Sequence, residues 1–191
     1  MEVREAAEKY NYNDYASWDD GKRYELIDGT IYLMSPAPSE KHQEVSGELY
    51  RQLANFLKGK PCKVFSAPFD VCLRGKGDYE DTIVQPDILV VCDKSKLDGK
   101  RCNGAPDMII EVLSPSSVIH DTHIKLNKYL EAGVREYWIA DPENKTITVH
   151  VLRNNEYVVN IFGIEDDKRN KTISVYVLDG CVMDIKEVFE T

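Results

Sequence analysis

Two apolar runs of strand length carry carboxylates among their aliphatic residues: Pro86-Asp87-Ile88-Leu89-Val90-Val91 and Pro106-Asp107-Met108-Ile109-Ile110-Glu111-Val112-Leu113. An ionised carboxylate in a mostly apolar strand loses several kcal/mol of solvation unless something positive compensates it. If neighbouring strands bring Asp87 and Glu111 side by side, their like charges repel, and a hard divalent ion between them reverses that interaction. The pair therefore reads as a metal site. The geometric expectation is two carboxyl groups within roughly 6 Å, close enough to share one ion.

With 191 residues and 42% hydrophobic content, the chain is expected to form one domain over residues 1–191. No stretch approaches the roughly 20 apolar residues of a membrane span, and Met1-Glu2-Val3-Arg4-Glu5-Ala6 lacks the apolar segment of a signal peptide. Cys62, Cys72, Cys92, Cys102 and Cys181 are odd in number and spread out without a Cys-x-x-Cys pair. Neither a disulfide framework nor a zinc knuckle is expected, and a reducing cytoplasm fits.

The net charge of −9 argues against holding nucleic acid by bulk positive charge, so a polyanion requires a local basic face. Lys94, Lys96, Lys100 and Arg101 in one loop, and Lys168, Arg169 and Lys171 in another, could supply it or could be solvated loop charge.

After a Tyr-rich lead-in, Asp28-Gly29 between Tyr24-Glu25-Leu26-Ile27 and Thr30-Ile31-Tyr32-Leu33-Met34 predicts a hairpin with a type I′ turn. Pro36 and Pro38 break the chain. Ser39 then caps a helix that ends near Gly59 and buries Val45, Leu49, Leu53 and Phe56. One strand is expected from Lys63 to Leu73, then a charged loop from Arg74 to Asp81, a strand from Pro86 to Cys92, a basic loop, and a strand from Asp107 to Leu113. Beyond Ser114-Pro115-Ser116-Ser117 a helix runs from about Val118 to Ala132, closed by Gly133, with Ile119, Leu126 and Leu130 on one face. Glu136 to Ala140, Thr146 to Leu152, Tyr157 to Phe162 and Ile173 to Val177 read as strands, and a short helix near Asp184 to Phe189 ends the pattern. The order suits an α/β fold: a mixed β-sheet flanked by helices, with an N-terminal hairpin and additional C-terminal antiparallel strands.

From Arg23-Tyr24-Glu25-Leu26-Ile27-Asp28-Gly29 an ordered series of fragments follows: Met34-Ser35-Pro36-Ala37-Pro38-Ser39 with His42, Pro86-Asp87, and Gly104-Ala105-Pro106-Asp107 with Glu111-Val112-Leu113-Ser114-Pro115. Asp121 with Lys125 and Tyr129, then Ala132-Gly133-Val134-Arg135-Glu136-Tyr137-Trp138, complete it. Over roughly residues 20 to 160 this series resembles the putative restriction endonuclease (Uma) family of the PD-(D/E)XK nuclease superfamily. The resemblance implies a restriction-endonuclease-like core of helix, three strands, helix and strand. It also implies an acidic pair that binds Mg²⁺ or Mn²⁺ and hydrolyses phosphodiester bonds in DNA, with Asp87 and Glu111 as the ligands.

One departure bears on catalysis. The superfamily places a lysine two residues after the second acid, and Leu113 stands there. The family's Asp-x-x-x-Lys spacing points instead to Lys125, with Lys128 in reserve. On a helical wheel, however, Asp121 and Lys125 form an i, i+4 pair opposite Ile119, Leu126 and Leu130, the pattern of an exposed ion pair. Other family members suggest an acid from the first helix. Glu44 projects away from the buried stripe, Glu48 sits at its edge, and His42 lies on it, as a hydrogen-bonded core residue or as a neighbour of the acidic pair. Glu25 is a further accessory candidate or a solvent-facing strand residue. Asp107, four residues before Glu111 and so about 13 Å along a strand, reads as structural.

The leading expectation is a metal-dependent endonuclease, and Leu113 keeps open a catalytically inactive nucleic-acid-binding module on the same fold. A Ser or Cys hydrolase has no Gly-x-Ser-x-Gly elbow, and His42, His120, His123 and His150 lack an obvious nucleophile partner. His120 and His123 alone are thin evidence for a transition metal. A homodimer is a further expectation, because two cuts in a duplex call for two sites.

Overall fold

The computed structural model describes residues 8–34, 38–73, 80–115, 117–164 and 171–190. The lead-in holds a short helix that the sequence pattern missed, α1 (Tyr12–Ser17), capped reciprocally by Asn11 and Asp14. The hairpin forms as expected from β1 (Tyr24–Ile27) and β2 (Thr30–Leu33). Asp28 and Gly29 take φ of 51° and 72° at its turn, the left-handed pair that a type I′ turn requires. Ser39 accepts from the His42 amide and starts α2 (Glu40–Leu57), which buries Val45, Leu49, Leu53 and Leu57.

The strand expected from Lys63 to Leu73 is two strands, β3 (Lys63–Ser66) and β4 (Asp70–Leu73), in different sheets. Pro68 lies between them, and a residue without an N–H cannot continue a ladder. Next come β5 (Thr82–Val84), which the pattern did not reveal, and β6 (Ile88–Val91). The basic loop contains a 3₁₀ turn (Lys94–Lys96) and the short strand β7 (Arg101–Asn103). After β8 (Met108–Val112) the chain enters a π-helical segment (His120–Lys125) that runs into α3 (Leu126–Ala132), closed by Gly133 at φ 83°. Then follow β9 (Glu136–Asp141), β10 (Thr146–Arg153), β11 (Glu156–Gly163), β12 (Thr172–Ser174), β13 (Val182–Asp184) and α4 (Ile185–Phe189). The expected loop at Arg74 to Asp81 and its counterpart at Lys168 and Arg169 lie largely or wholly outside the described residues.

The fold class is the one the pattern implied, mixed α/β with helices flanking the sheets, but the strands divide among three sheets. Six of them run in the order β11-β10-β9-β8-β6-β3, five in the order β2-β1-β5-β4-β7, and β12 pairs with β13. In the large sheet only β8 and β9 are parallel, and the π-helical segment with α3 makes the crossover that a parallel pair needs. One face packs Ile88, Val90, Met108, Ile110 and Trp138 against α2 and α4. The other packs Leu89, Val91, Ile109 and Tyr137 against Tyr129 of α3 and against Ile27, Val71 and Val84 of the five-stranded sheet. Strand parity puts Glu111 on this second face, where the crossover helix and the hairpin sheet both reach it.

The cysteines depart from expectation: Cys62 and Cys92 are joined in a disulfide, while Cys72, Cys102 and Cys181 are buried outside it. Lys63 pairs with Val91 across β3 and β6, so the next residues outward, Cys62 and Cys92, face each other. A contact made by register between residues 30 apart leaves no local spacing to read. No helix among the described residues is long and apolar enough to cross a membrane.

Candidate active site

The antiparallel register of β6 and β8 pairs Ile88 with Ile110 and Leu89 with Ile109, which sets Asp87 opposite Glu111. The two acids clasp each other's backbone. The Asp87 amide donates to Glu111 Oε2 at 3.2 Å, and the Val112 amide donates to Asp87 Oδ2 at 2.8 Å. No arginine among the described residues bridges them. The cation beside Glu111 is Lys125, whose Nζ lies 2.7 Å from Glu111 Oε1, 2.8 Å from Glu25 Oε1 and 3.6 Å from Asp121 Oδ1. Tyr129 donates its hydroxyl to the same Glu111 Oε1 at 2.8 Å.

The wheel misassigned this helix. Asp121, Lys125 and Tyr129 are its buried row at 4%, 3% and 0% exposure, whereas Ile119 is 72% exposed. Positions four apart drift in one direction on an α-helix, which holds fewer than four residues per turn. A π turn, closed by i→i+5 bonds, holds more and offsets that drift, so the three side chains stay in line. The exposed ion pair expected at Asp121 and Lys125 is thus a buried one. Tyr137 helps fix the segment by donating its hydroxyl to the Asp121 carbonyl at 3.1 Å.

Glu25, read as an accessory candidate or a solvent-facing strand residue, is 3% exposed and enters from β1. It accepts from the Gln85 amide at 2.9 Å, and its Oε2 lies 2.9 Å from His120 Nε2. His120 and Tyr129 are the functional candidates that sequence reasoning left unassigned. The Asp-x-x-x-Lys-x-x-x-Tyr spacing was the available signal for Tyr129, while His120 reaches Glu25 only through tertiary packing.

His42 projects from the first turn of α2 over the end of the sheet, with Nε2 3.2 Å from Asp87 Oδ2. It borders an open cleft of about 180 Å³ that Asp87 also lines. Other candidates are not gathered in. Glu48 pairs with Arg51 at 2.5 Å and accepts from Gln52, beside α4. Lys128 binds Asp28 and Glu131, both at 2.9 Å. Asp107 accepts from the Cys92 amide at 2.7 Å and from Arg135 at 3.1 Å. In the basic loop, Lys96 donates to the Ala105 carbonyl, and Arg101 is held by Glu80 and Asp98 over the Tyr12 ring. Those two cations are committed locally and do not form a free basic face.

Three carboxyl groups (Glu25, Glu111, Asp121) therefore crowd around the Lys125 ammonium, and a fourth, Asp87, lies beside Glu111 and pairs with His42. Burial pushes the Glu111 carboxyl well above the usual carboxylate range; Lys125 opposes the shift, and Asp121, Asp87 and Glu25 reinforce it. Burial also raises Asp121. For Glu25 burial acts upward too, but Lys125 and the His120 bond outweigh it and hold the group at about 2. Burial alone would lower Lys125; the surrounding carboxylates reverse that and keep it protonated far above its ordinary value. His42 behaves alike, since burial lowers it and Asp87 more than restores it.

The donor set suits a hard divalent cation. Asp87 and Glu111 offer only oxygen, and Asp87 Oδ1 has no protein donor among the described residues. No group of three or more His, Cys, Asp or Glu side chains among the described residues forms a metal cage. Mg²⁺ needs none, because it commonly takes one or two carboxylates and fills its remaining positions with water and substrate phosphate.

The architecture defines a nuclease-like fold. It is similar to the crystal structure of a putative nuclease from Anabaena variabilis ATCC 29413, with a TM-score of 0.73 over 95% of this chain and 98% of that one at 20% identity. Residues 12–182 match the Uma2 family, described as putative restriction endonuclease, and the chain belongs to that family. It is also 28% identical over 123 residues, 63% of its length, to the uncharacterized protein slr1290 of Synechocystis sp. (strain ATCC 27184 / PCC 6803 / Kazusa), and the match spans 62% of that relative.

Proposed function

We propose that this protein is a metal-dependent endonuclease hydrolysing phosphodiester bonds of DNA, with Asp87 and Glu111 holding Mg²⁺ or Mn²⁺. The observation that carries the reading is the convergence of four carboxyl groups: Glu25, Glu111 and Asp121, all buried, meet the Lys125 ammonium, and the half-buried Asp87 lies beside Glu111. A divalent ion, when bound, supplies Lewis-acid stabilisation of charge on the phosphate oxygens. The protein's own groups do the rest. Asp87 is held by the Val112 amide and His42, and Glu111 by Lys125, Tyr129 and the Asp87 amide, so both are oriented before substrate arrives.

Lys125 occupies in space the role that Leu113 cannot fill in sequence. Held by Glu25, Glu111 and Asp121, its ammonium is suited to orienting an attacking water and stabilising charge on the phosphate. Glu25 and Asp121 hold that ammonium beside Glu111, and His120 braces Glu25.

The test is strand scission of single-stranded, duplex and branched DNA by purified protein with Mg²⁺ or Mn²⁺, abolished by a chelator and by Glu111→Gln. Intact DNA under every condition would overturn the reading. DNA affinity without scission would favour the inactive binding module that Leu113 suggests. A homodimer would supply the two sites that a duplex cut requires, and a light-scattering mass tests that point.

A further inference from the structure

The cleft beside Asp87 has a composition unlike a phosphate channel. Its walls are Gln43, Ser46, Gly47 and Tyr50 from α2, with Ser66 and Ala67 from the end of β3, and His42 and Asp87 line it as well. Positions 43, 46, 47 and 50 recur at helical spacing, so one face of α2 builds the wall. Among the described residues neither lysine nor arginine lines it. A phosphate placed there would meet neutral groups, His42 and the Asp87 carboxylate, a lining that favours an uncharged occupant.

Gly47 sharpens the point. A glycine inside an 18-residue helix weakens it relative to alanine, yet a Cβ built here would meet nothing within 4 Å. No neighbour requires the glycine, and its effect is to leave the cleft wider. At about 180 Å³ and open to solvent, the cleft has room for one heterocyclic base. Tyr50 offers a ring for stacking, and Gln43, Ser46 and Ser66 offer both donors and acceptors to base edges.

We propose that this cleft seats one unpaired nucleobase of the substrate strand, next to the phosphate presented to Asp87 and Glu111. The proposal rests on the nuclease reading and adds a preference for single-stranded or locally unpaired DNA. A seated base must first leave its stack, and that cost is least in a single strand.

Two measurements on the full chain separate the proposal from the reading beneath it. In steady-state cleavage with Mg²⁺, a single strand should be cut faster than its duplex. Gly47→Leu and Tyr50→Ala should each raise KM for the single strand about tenfold while kcat changes less than about twofold, in line with base–aromatic stacking. In a titration with an oligonucleotide carrying 2-aminopurine and no metal, fluorescence should be quenched by the parent and not by Tyr50→Ala. Gly47→Leu should melt no lower than the parent, so a lost signal is not a lost fold. Cleavage with unchanged KM in both variants, or no quenching by the parent, overturns the cleft proposal alone. Quenching without cleavage overturns the nuclease reading and leaves the base site standing.

Discussion

Glu111 and Glu136 are buried glutamates on adjacent parallel strands of one sheet, at 3% and 0% exposure, and they solve the same problem differently. Glu136 points to the α2 face. It accepts from Trp138 Nε1 at 2.8 Å and from the Val177 amide at 2.9 Å, with no ion pair among the described residues, and so ties the C-terminal segment to the sheet. Glu111 points to the opposite face and meets a lysine, a tyrosine and three more acids. Burial raises both carboxyls, but only at Glu111 does like charge from neighbouring acids add to the shift. A buried acid satisfied by neutral N–H donors is a fastener. A buried acid with surplus negative company has room for a cation.

Four experiments can break or sharpen that contrast. The largest effect is expected from Lys125→Met, which leaves Glu25, Glu111 and Asp121 without their ammonium and should cost about 3–5 kcal/mol in urea unfolding without metal. Mg²⁺ should return part of that loss, and a variant as stable as the parent would show that the cluster is not held by charge. Next, Glu111→Gln should lower cleavage about 10²–10³-fold while Glu136→Gln stays within about twofold of the parent. Equal losses in the two variants would erase the distinction.

Third, the Cys62–Cys92 disulfide closes a loop across a sequence separation of 30, and its reduction should lower stability by about 3 kcal/mol in a comparison of melts with and without reductant. It lies at the end of β6 away from Asp87, so cleavage at a temperature where the protein stays folded should change little. The smallest effect concerns pH. Burial raises Glu136 above its unfolded value, so the stability this acid contributes is full below the ordinary glutamate range and is lost as pH rises through the folded value. Measured against Glu136→Gln, the parent should therefore lose ground from acid toward neutral pH. An advantage that grows with pH would reverse the sign.

Much of the frame was legible because its signals are local. Asp28-Gly29 specifies its turn, Ser39 its cap and Gly133 its helix end, and the two Pro-Asp runs lie where β6 and β8 form. Asp87 and Glu111 stood out because charge in an aliphatic run is anomalous. His120 did not, and Glu25 read equally as an exposed strand residue, since a second sheet closes over the crossover helix, which no periodicity encodes. The wheel failed at Asp121 and Lys125 for a related reason: it assigns apolar residues to the inside at a fixed angular step, and here a polar row is inside on a helix whose step changes. Cys62 and Cys92 meet only through strand register.

Glu25 belongs to the N-terminal hairpin and Glu111 to the central strand, and the same ammonium grips both. On the proposed reading, chemistry at this centre is conditional on assembly: until the first hairpin has docked, Lys125 lacks one of its anchors.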